Sequence, residues 1–294
     1  MPPPLPPRSF ARRLRDSAAS RTIGLWIFLV MVFVGLWQYF QPSATGGGGT
    51  EELGNEAASP WRNFAIANVP FCVVLVIVGV FLWRVRRLNA GNKRGIDLMA
   101  IGEAGQAAEV FRGLSRAWFL PTVGPKLNLG FALVRLGDLD GAREALAAAE
   151  RSRTRWYRPV IASFLALCDA LLGDLDAADA WVTESKRRAS SPSSITRVHL
   201  AAEAIVRLRR GDALGAVQLL DASWGEIERS TAADMVRALR IVRAFAAESI
   251  GSPALVPDLL AGARPFRPGE YAWLGARWPE MARYLDANGF AQAA

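Results

Sequence analysis

A short junction recurs in this chain and restricts what it can become. Leu136-Gly137-Asp138-Leu139-Asp140-Gly141-Ala142 returns as Leu172-Gly173-Asp174-Leu175-Asp176-Ala177-Ala178 and as Arg210-Gly211-Asp212-Ala213-Leu214-Gly215-Ala216, with glycines 36 and 38 residues apart. Weaker copies at Gly102, with Ala107 after it, and at Gly251 extend the series by steps of 35 and 40. Such a period marks a stack of supersecondary units, each too small to bury its apolar face alone. Glycine accepts the left-handed conformation that ends one helix, and Asp140 or Asp176 is expected to cap the next. Ala142, Ala178 and Ala216 then permit close helix contact. Gly130, Ala166 and Ala204 are the corresponding small residues upstream, and Leu146, Val182 and Leu220 the apolar ones downstream. Beyond Gly95 the chain is rich in Ala, Leu and Arg, with apolar residues at helical spacing, so the spacing predicts an all-α fold.

Two uncharged apolar runs precede the repeats, residues 22–40 (19 residues) and 64–83 (20 residues). Each has the length of a transmembrane helix. Trp26, Trp37, Tyr39, Trp61 and Trp83 lie near the ends, as interfacial aromatics do. The first run is longer than the apolar core of a signal peptide and lacks a small-x-small cleavage pattern after it, so a retained span is expected. Pro70 is near the start of the second run, where a missing amide donor matters least.

Charge placement sets the expected orientation. Residues 1–94 hold 11 of the 35 basic and 4 of the 27 acidic residues, which leaves a net charge near +1 on everything beyond. Arg8, Arg12, Arg13, Arg15 and Arg21 precede the first run, and Arg84, Arg86, Arg87, Lys93 and Arg94 follow the second. Between the runs, Glu51, Glu52 and Glu56 face only Arg62. The positive-inside rule then predicts a hairpin with both termini cytoplasmic. Concentrating the excess charge there argues against nucleic acid as a partner, despite a pI near 10.3. The preponderance of arginine over lysine, common in GC-rich coding, adds the expectation of a bacterial inner membrane.

The expected organisation is a basic Pro-rich cytoplasmic tail (1–21), a first span (22–40), a Gly-rich acidic outer loop (41–63) and a second span (64–83). A basic juxtamembrane linker (84–95), helical repeats (96–250) and C-terminal capping helices (251–294) follow. Pro253, Pro257, Pro265 and Pro268 interrupt the last part. Its aromatic segment, with Tyr271, Trp273, Trp278 and Tyr284, reads as a cap over the exposed face of the final repeat, or as an aromatic anchor for a partner.

The junctions, and above all LNLGFALVRLGDLDGAREALAAAERS from Leu127 to Ser152, resemble the tetratricopeptide repeat family, whose unit is a helix-turn-helix of about 34 residues stacked into a superhelix. The next copies depart from the pattern: Asp169 stands where the family usually has an aromatic, and Leu214 replaces the acid expected to cap the third junction. The resemblance covers roughly residues 96–250 and implies binding of a protein or peptide on a concave surface. Asn128, Arg135 and Arg158 are candidates to line such a groove, with the helical phase left open.

Little in the sequence points to chemistry. His199 is the single histidine, which leaves no material for a histidine-based metal cluster or a Cys/His dyad. Cys72 and Cys168 are expected to be packing residues. The Asp-x-Asp pairs at Asp138/Asp140 and Asp174/Asp176 imitate a metal motif, but their place in the repeat favours a turn role. Phosphate-loop, dinucleotide-binding, zinc-protease and serine-hydrolase motifs are missing from the sequence. The expectation is therefore a non-catalytic, membrane-anchored scaffold for protein or peptide partners, with no cofactor, metal or small-molecule substrate. The rival is a transport or secretion subunit in which the hairpin itself is the working element. The residues singled out are those of the turns: Gly137, Asp138, Asp140, Ala142, Gly173, Asp174, Asp176, Ala178, Gly211, Asp212 and Ala216.

Overall fold

The computed structural model describes residues 60–116, 122–151, 157–188, 198–231, 233–267 and 269–290; of residues 60–73 and 230, the backbone alone is described. The sequence expectations for residues 1–59, including the Pro-rich tail, the first apolar run and most of the Gly-rich loop, lie outside these residues. Among the described residues every regular element is helical. The chain divides into two compact units, Met1–Arg86 and Arg87–Ala294.

Helices are numbered α1 (Pro60–Ala100), α2 (Ala104–Ser115), α3 (Val123–Arg135), α4 (Leu139–Glu150), α5 (Arg158–Leu172), α6 (Leu175–Arg188), α7 (Val198–Arg209), α8 (Ala213–Ser230) and α9 (Ala233–Ser249). A 3-10 turn, Pro253–Leu255, leads into α10 (Val256–Ala261), α11 (Ala272–Gly275) and α12 (Pro279–Ala287). Residues 84–95, read as a linker in the sequence, are part of α1.

The expected setting in a bacterial inner membrane, with two spans and both termini cytoplasmic, does not stand. Among the described residues no helix is long and apolar enough to cross a membrane. The second apolar run, residues 64–83, lies within α1 and ends at Trp83. Arg84, Arg86 and Arg87 follow at once.

In the second unit, paired helices α3/α4, α5/α6 and α7/α8 pack within each pair, and α3, α5, α7 and α9 pack on one another in turn. The junctions explain this regularity. Gly102, Gly137, Gly173, Gly211 and Gly251 all have positive φ, between 74° and 94°. At each, the N–H of the next residue reaches back five positions: Glu103 to Leu98 O (2.9 Å), Asp138 to Leu133 O (3.0 Å), Asp174 to Asp169 O (2.9 Å), Asp212 to Arg207 O (2.8 Å) and Ser252 to Ala247 O (2.9 Å). These bonds pair carbonyls that a helix end would otherwise leave orphaned.

The cap of the following helix is the acid directly after the glycine, not Asp140 or Asp176 as the sequence suggests. Asp138 accepts from Gly141 N at 3.0 Å, and Asp212 from Gly215 N at 2.9 Å. Asp174 accepts from Ala177 N at a longer 3.3 Å. A Cβ on Gly141 or Gly215 would collide with its own cap carboxylate, so glycine there permits the tighter bond. Leu214 consequently costs the third junction nothing.

Stacking rests on matching small residues with large ones. Ala107, Ala142, Ala178 and Ala216 are all fully buried, and so are Phe111, Leu146 and Leu220 a turn later, with Val182 nearly so. A Cβ on Gly130 would lie 2.5 Å from Leu146 Cγ, and one on Gly95 would lie 2.5 Å from Phe111. Helix α5 is enclosed on every side, with Val160 to Leu171 buried without a break. Such a helix forms through tertiary packing on all faces, not through an amphipathic stripe.

The unfolding of four variants checks this account. Gly130→Ala is expected to lose about 1–2 kcal/mol in urea unfolding, because overpacking at Leu146 outweighs the gain in helix propensity. Gly113→Ala, in α2 with nothing near its added methyl, is expected to gain up to about 1 kcal/mol. Asp138→Ala is expected to cost about 1 kcal/mol, and Asp140→Ala less than half of that.

Candidate interaction surface

The layer formed by α3, α5, α7 and α9 is the counterpart of the concave surface that the repeat resemblance implies for ligand binding. That layer is not open. Residues 263–290 lie across it, and Ala263, Tyr271, Trp273, Leu274, Trp278, Met281, Tyr284, Leu285 and Phe290 are all buried. Helix α11 packs against α3, some 140 residues earlier in the chain. The aromatic segment is therefore more than an end cap, since it spans from the last pair to the first junctions.

Four charged side chains fix the crossing. Arg135 at the end of α3 pairs with Asp234 at the start of α9 at 2.5 Å and lies 3.9 Å from Glu270, while being only 8% exposed. Arg237 donates to Glu270 Oε1 at 2.7 Å and, through Nε, to Tyr271 Oη at 3.1 Å. Tyr271 Oη in turn donates to Ala263 O at 3.0 Å. Burial alone works against the Glu270 carboxylate, but its bonds to Arg237 and to the Arg267 N–H, with the charges of Arg237 and Arg135, hold its carboxyl below the usual range. Burial pushes the Tyr271 hydroxyl up.

Further along, Trp278 and Tyr284 make edge contacts with Phe245 of α9 at centroid distances of 5.3 and 5.2 Å. Arg209 of α7 lies over the Trp278 ring at 5.7 Å and donates to Arg277 O at 3.2 Å. Arg277 reaches Asp140 at 3.4 Å. Phe266, Tyr271 and Phe290 cluster with ring separations of 4.6 to 6.0 Å.

The turn residues singled out in the sequence lie at the helix-pair junctions, apart from this aromatic crossing except where Ala276 approaches Gly137 and Arg277 meets Asp140. The Asp-x-Asp pairs are engaged with backbone and arginine. Asp138 and Asp174 cap helices, Asp174 lies 3.6 Å from Arg143, and Asp176 pairs with Arg210 at 2.7 Å. Among the described residues no group of three or more His, Cys, Asp or Glu is placed to hold a metal ion. His199 is buried within α7, and Cys168 is free and buried, its thiol pushed up by desolvation. Of the groove candidates, Arg135 enters the charged crossing, Asn128 donates to Asn92 of α1 at 2.9 Å, and Arg158 is half-buried at the start of α5.

Sequence reasoning missed the partners of Arg135, because Asp234 and Glu270 are 99 and 135 positions away and no periodicity links them. It also took Asp169 for a degenerate position. Asp169 is wholly buried in α5, with Arg143 of α4 at 2.9 Å. Desolvation pushes its carboxyl up to about 6, although Arg143 and a bond from Trp181 pull the other way and Asp174 adds to the rise. A carboxyl with a raised folded pKa favours the folded state while protonated. Its contribution is complete below the unfolded value near 4 and is lost as pH rises through about 6. Asp169→Asn is expected to flatten that slope and to gain up to roughly 3 kcal/mol at neutral pH, as read from denaturation midpoints across this window.

No family model and no curated protein matches the chain. Among solved structures, the chain is similar to one titled MamA MSR-1 C2, with 18% sequence identity and a TM-score of 0.37, over 60% of this chain and 94% of that one. With a likeness this low, the helix-pair geometry itself is the basis for describing an all-α, tetratricopeptide-like repeat.

Proposed function

We propose that the repeat array is a protein-interaction scaffold with no catalytic step of its own. The observation that carries this reading is the repeated stack of helix pairs, which builds an extended, regular surface from units that differ mainly in their outward side chains. Its charged groups are largely committed to bridging neighbouring helices. Arg188 pairs with Glu150 at 2.6 Å, Lys186 with Glu203 at 2.7 Å and Arg243 with Asp221 at 2.6 Å. A protein or peptide is the partner class that an array of this kind accommodates, and neither a cofactor nor a small-molecule substrate enters the proposal.

The test is site-directed photo-crosslinking in cells with the full chain. Probes replace exposed residues on the second helices of the pairs (Glu144, Lys186, Gln218) and on the C-terminal segment itself (Arg267, Ala276). A scaffold gives a discrete protein adduct, reproducible and confined to one of these faces. Absence of an adduct from every position in a folded chain overturns the reading.

A further inference from the structure

The surface where a partner would be expected is covered by the chain itself, and the cover shows what that surface recognises. The contacts made by residues 263–290 have a consistent chemistry. A carboxylate, Glu270, sits between two guanidinium groups, and aromatic rings follow it at Tyr271, Trp273 and Trp278. Arg135, Arg237 and Arg209 come from α3, α9 and α7, so the receptor for this pattern is built by the repeats alone.

Two features make the resident segment replaceable. It is joined to α10 through Gly262, and Gly269, with φ of 74°, lies near its start. Its own fit is also incomplete, since Trp273 Nε1 and Tyr284 Oη are buried with no hydrogen-bond partner among the described protein atoms. On displacement these two groups regain water, and an occupant that buries no unpaired polar group has an advantage over the resident.

We propose that residues 263–290 are a tethered pseudo-ligand, and that the α3/α7/α9 surface beneath them takes a partner segment of the same chemistry, a carboxylate followed closely by aromatic side chains. Resting on the scaffold reading above, the proposal adds where the partner binds and what it carries. Tethering gives the resident segment an effective concentration in the millimolar range, so a free competitor binds weakly until the resident is loosened.

The experiment adds a fluorescent synthetic peptide with the sequence of residues 265–290 to the full-length protein and follows anisotropy. Glu270→Gln in the protein weakens the resident and is expected to raise peptide affinity roughly ten-fold. The same peptide made with E270Q is expected to lose most of that gain. Two locks hold the resident in place. One is a disulfide from Gly137→Cys with Ala276→Cys, where a Cβ at position 137 would lie 3.5 Å from the Ala276 Cβ. If left-handed backbone at Gly137 prevents that variant from folding, Asp140→Cys with Arg277→Cys, both exposed, joined by a short bis-maleimide, serves instead.

Loss of peptide binding in the locked E270Q protein supports the proposal. Unchanged binding in a locked protein places the peptide elsewhere and overturns it. So does a folded E270Q protein that binds no peptide. A concentration-dependent dimer of E270Q that the lock abolishes also overturns it, making a second copy the occupant. The crosslinking adducts decide the scaffold reading independently of all these outcomes.

Discussion

Everything in the repeat unit depends on one backbone event, a left-handed residue placed every 35 to 40 positions. Glycine makes that conformation inexpensive, and the bond across it ends one helix at a fixed angle to the next. Because the following acid caps the new helix, the same few residues that stop α3, α5 and α7 also start α4, α6 and α8. The direction of each helix pair is thus set locally. Packing then needs only to supply depth, through a small residue facing a large one.

Those local events are what a single sequence exposes best. The glycine series and the alanines after it were legible, since both lie within one turn of the residues that give them meaning. The cap was misplaced by two positions because Asp138 and Asp140 are chemically identical, and only the backbone phase says which one precedes the first helical residue. Asp169 reads as a blemish in a pattern of aromatics until Arg143, supplied by the neighbouring helix, is set beside it. The C-terminal aromatics announced burial but not its location. Apolar periodicity tells that a face is covered, whereas the identity of the cover depends on contacts spanning more than 100 residues. The apolar run at residues 64–83 was read by length and lack of charge. Among the described residues no helix is long and apolar enough to meet the criterion for a span.

Arginine accounts for much of how neighbouring helices are tied together. Arg210 reaches back to Asp176 and Asp179, Arg209 donates to the carbonyls of Ala170 and Leu171 at the end of α5, and Arg240 to the carbonyl of Gly262. The planar guanidinium meets two acceptors at once, which a lysine ammonium does less well. At the exposed sites these pairs are worth little individually. Their value is geometric, because each fixes one helix pair against the next. This explains how the repeats stay nearly neutral in sum while carrying many charges.

The ion pair between Arg135 and Asp234 joins α3, in the pair α3/α4, to α9, the helix that follows the pair α7/α8, across 99 residues, and the aromatic crossing runs over it. An open solenoid is a one-dimensional object: its units contribute nearly independently, and evolution lengthens or shortens it by whole units. Here α3 and α9 are stapled to one another, so the count of helix pairs between them is closed. Adding or removing a single helix pair would rotate Asp234 away from Arg135 and strand Glu270 among the wrong helices. The number of repeats is thereby fixed by electrostatics, and the unit should melt as one cooperative body instead of fraying from its ends.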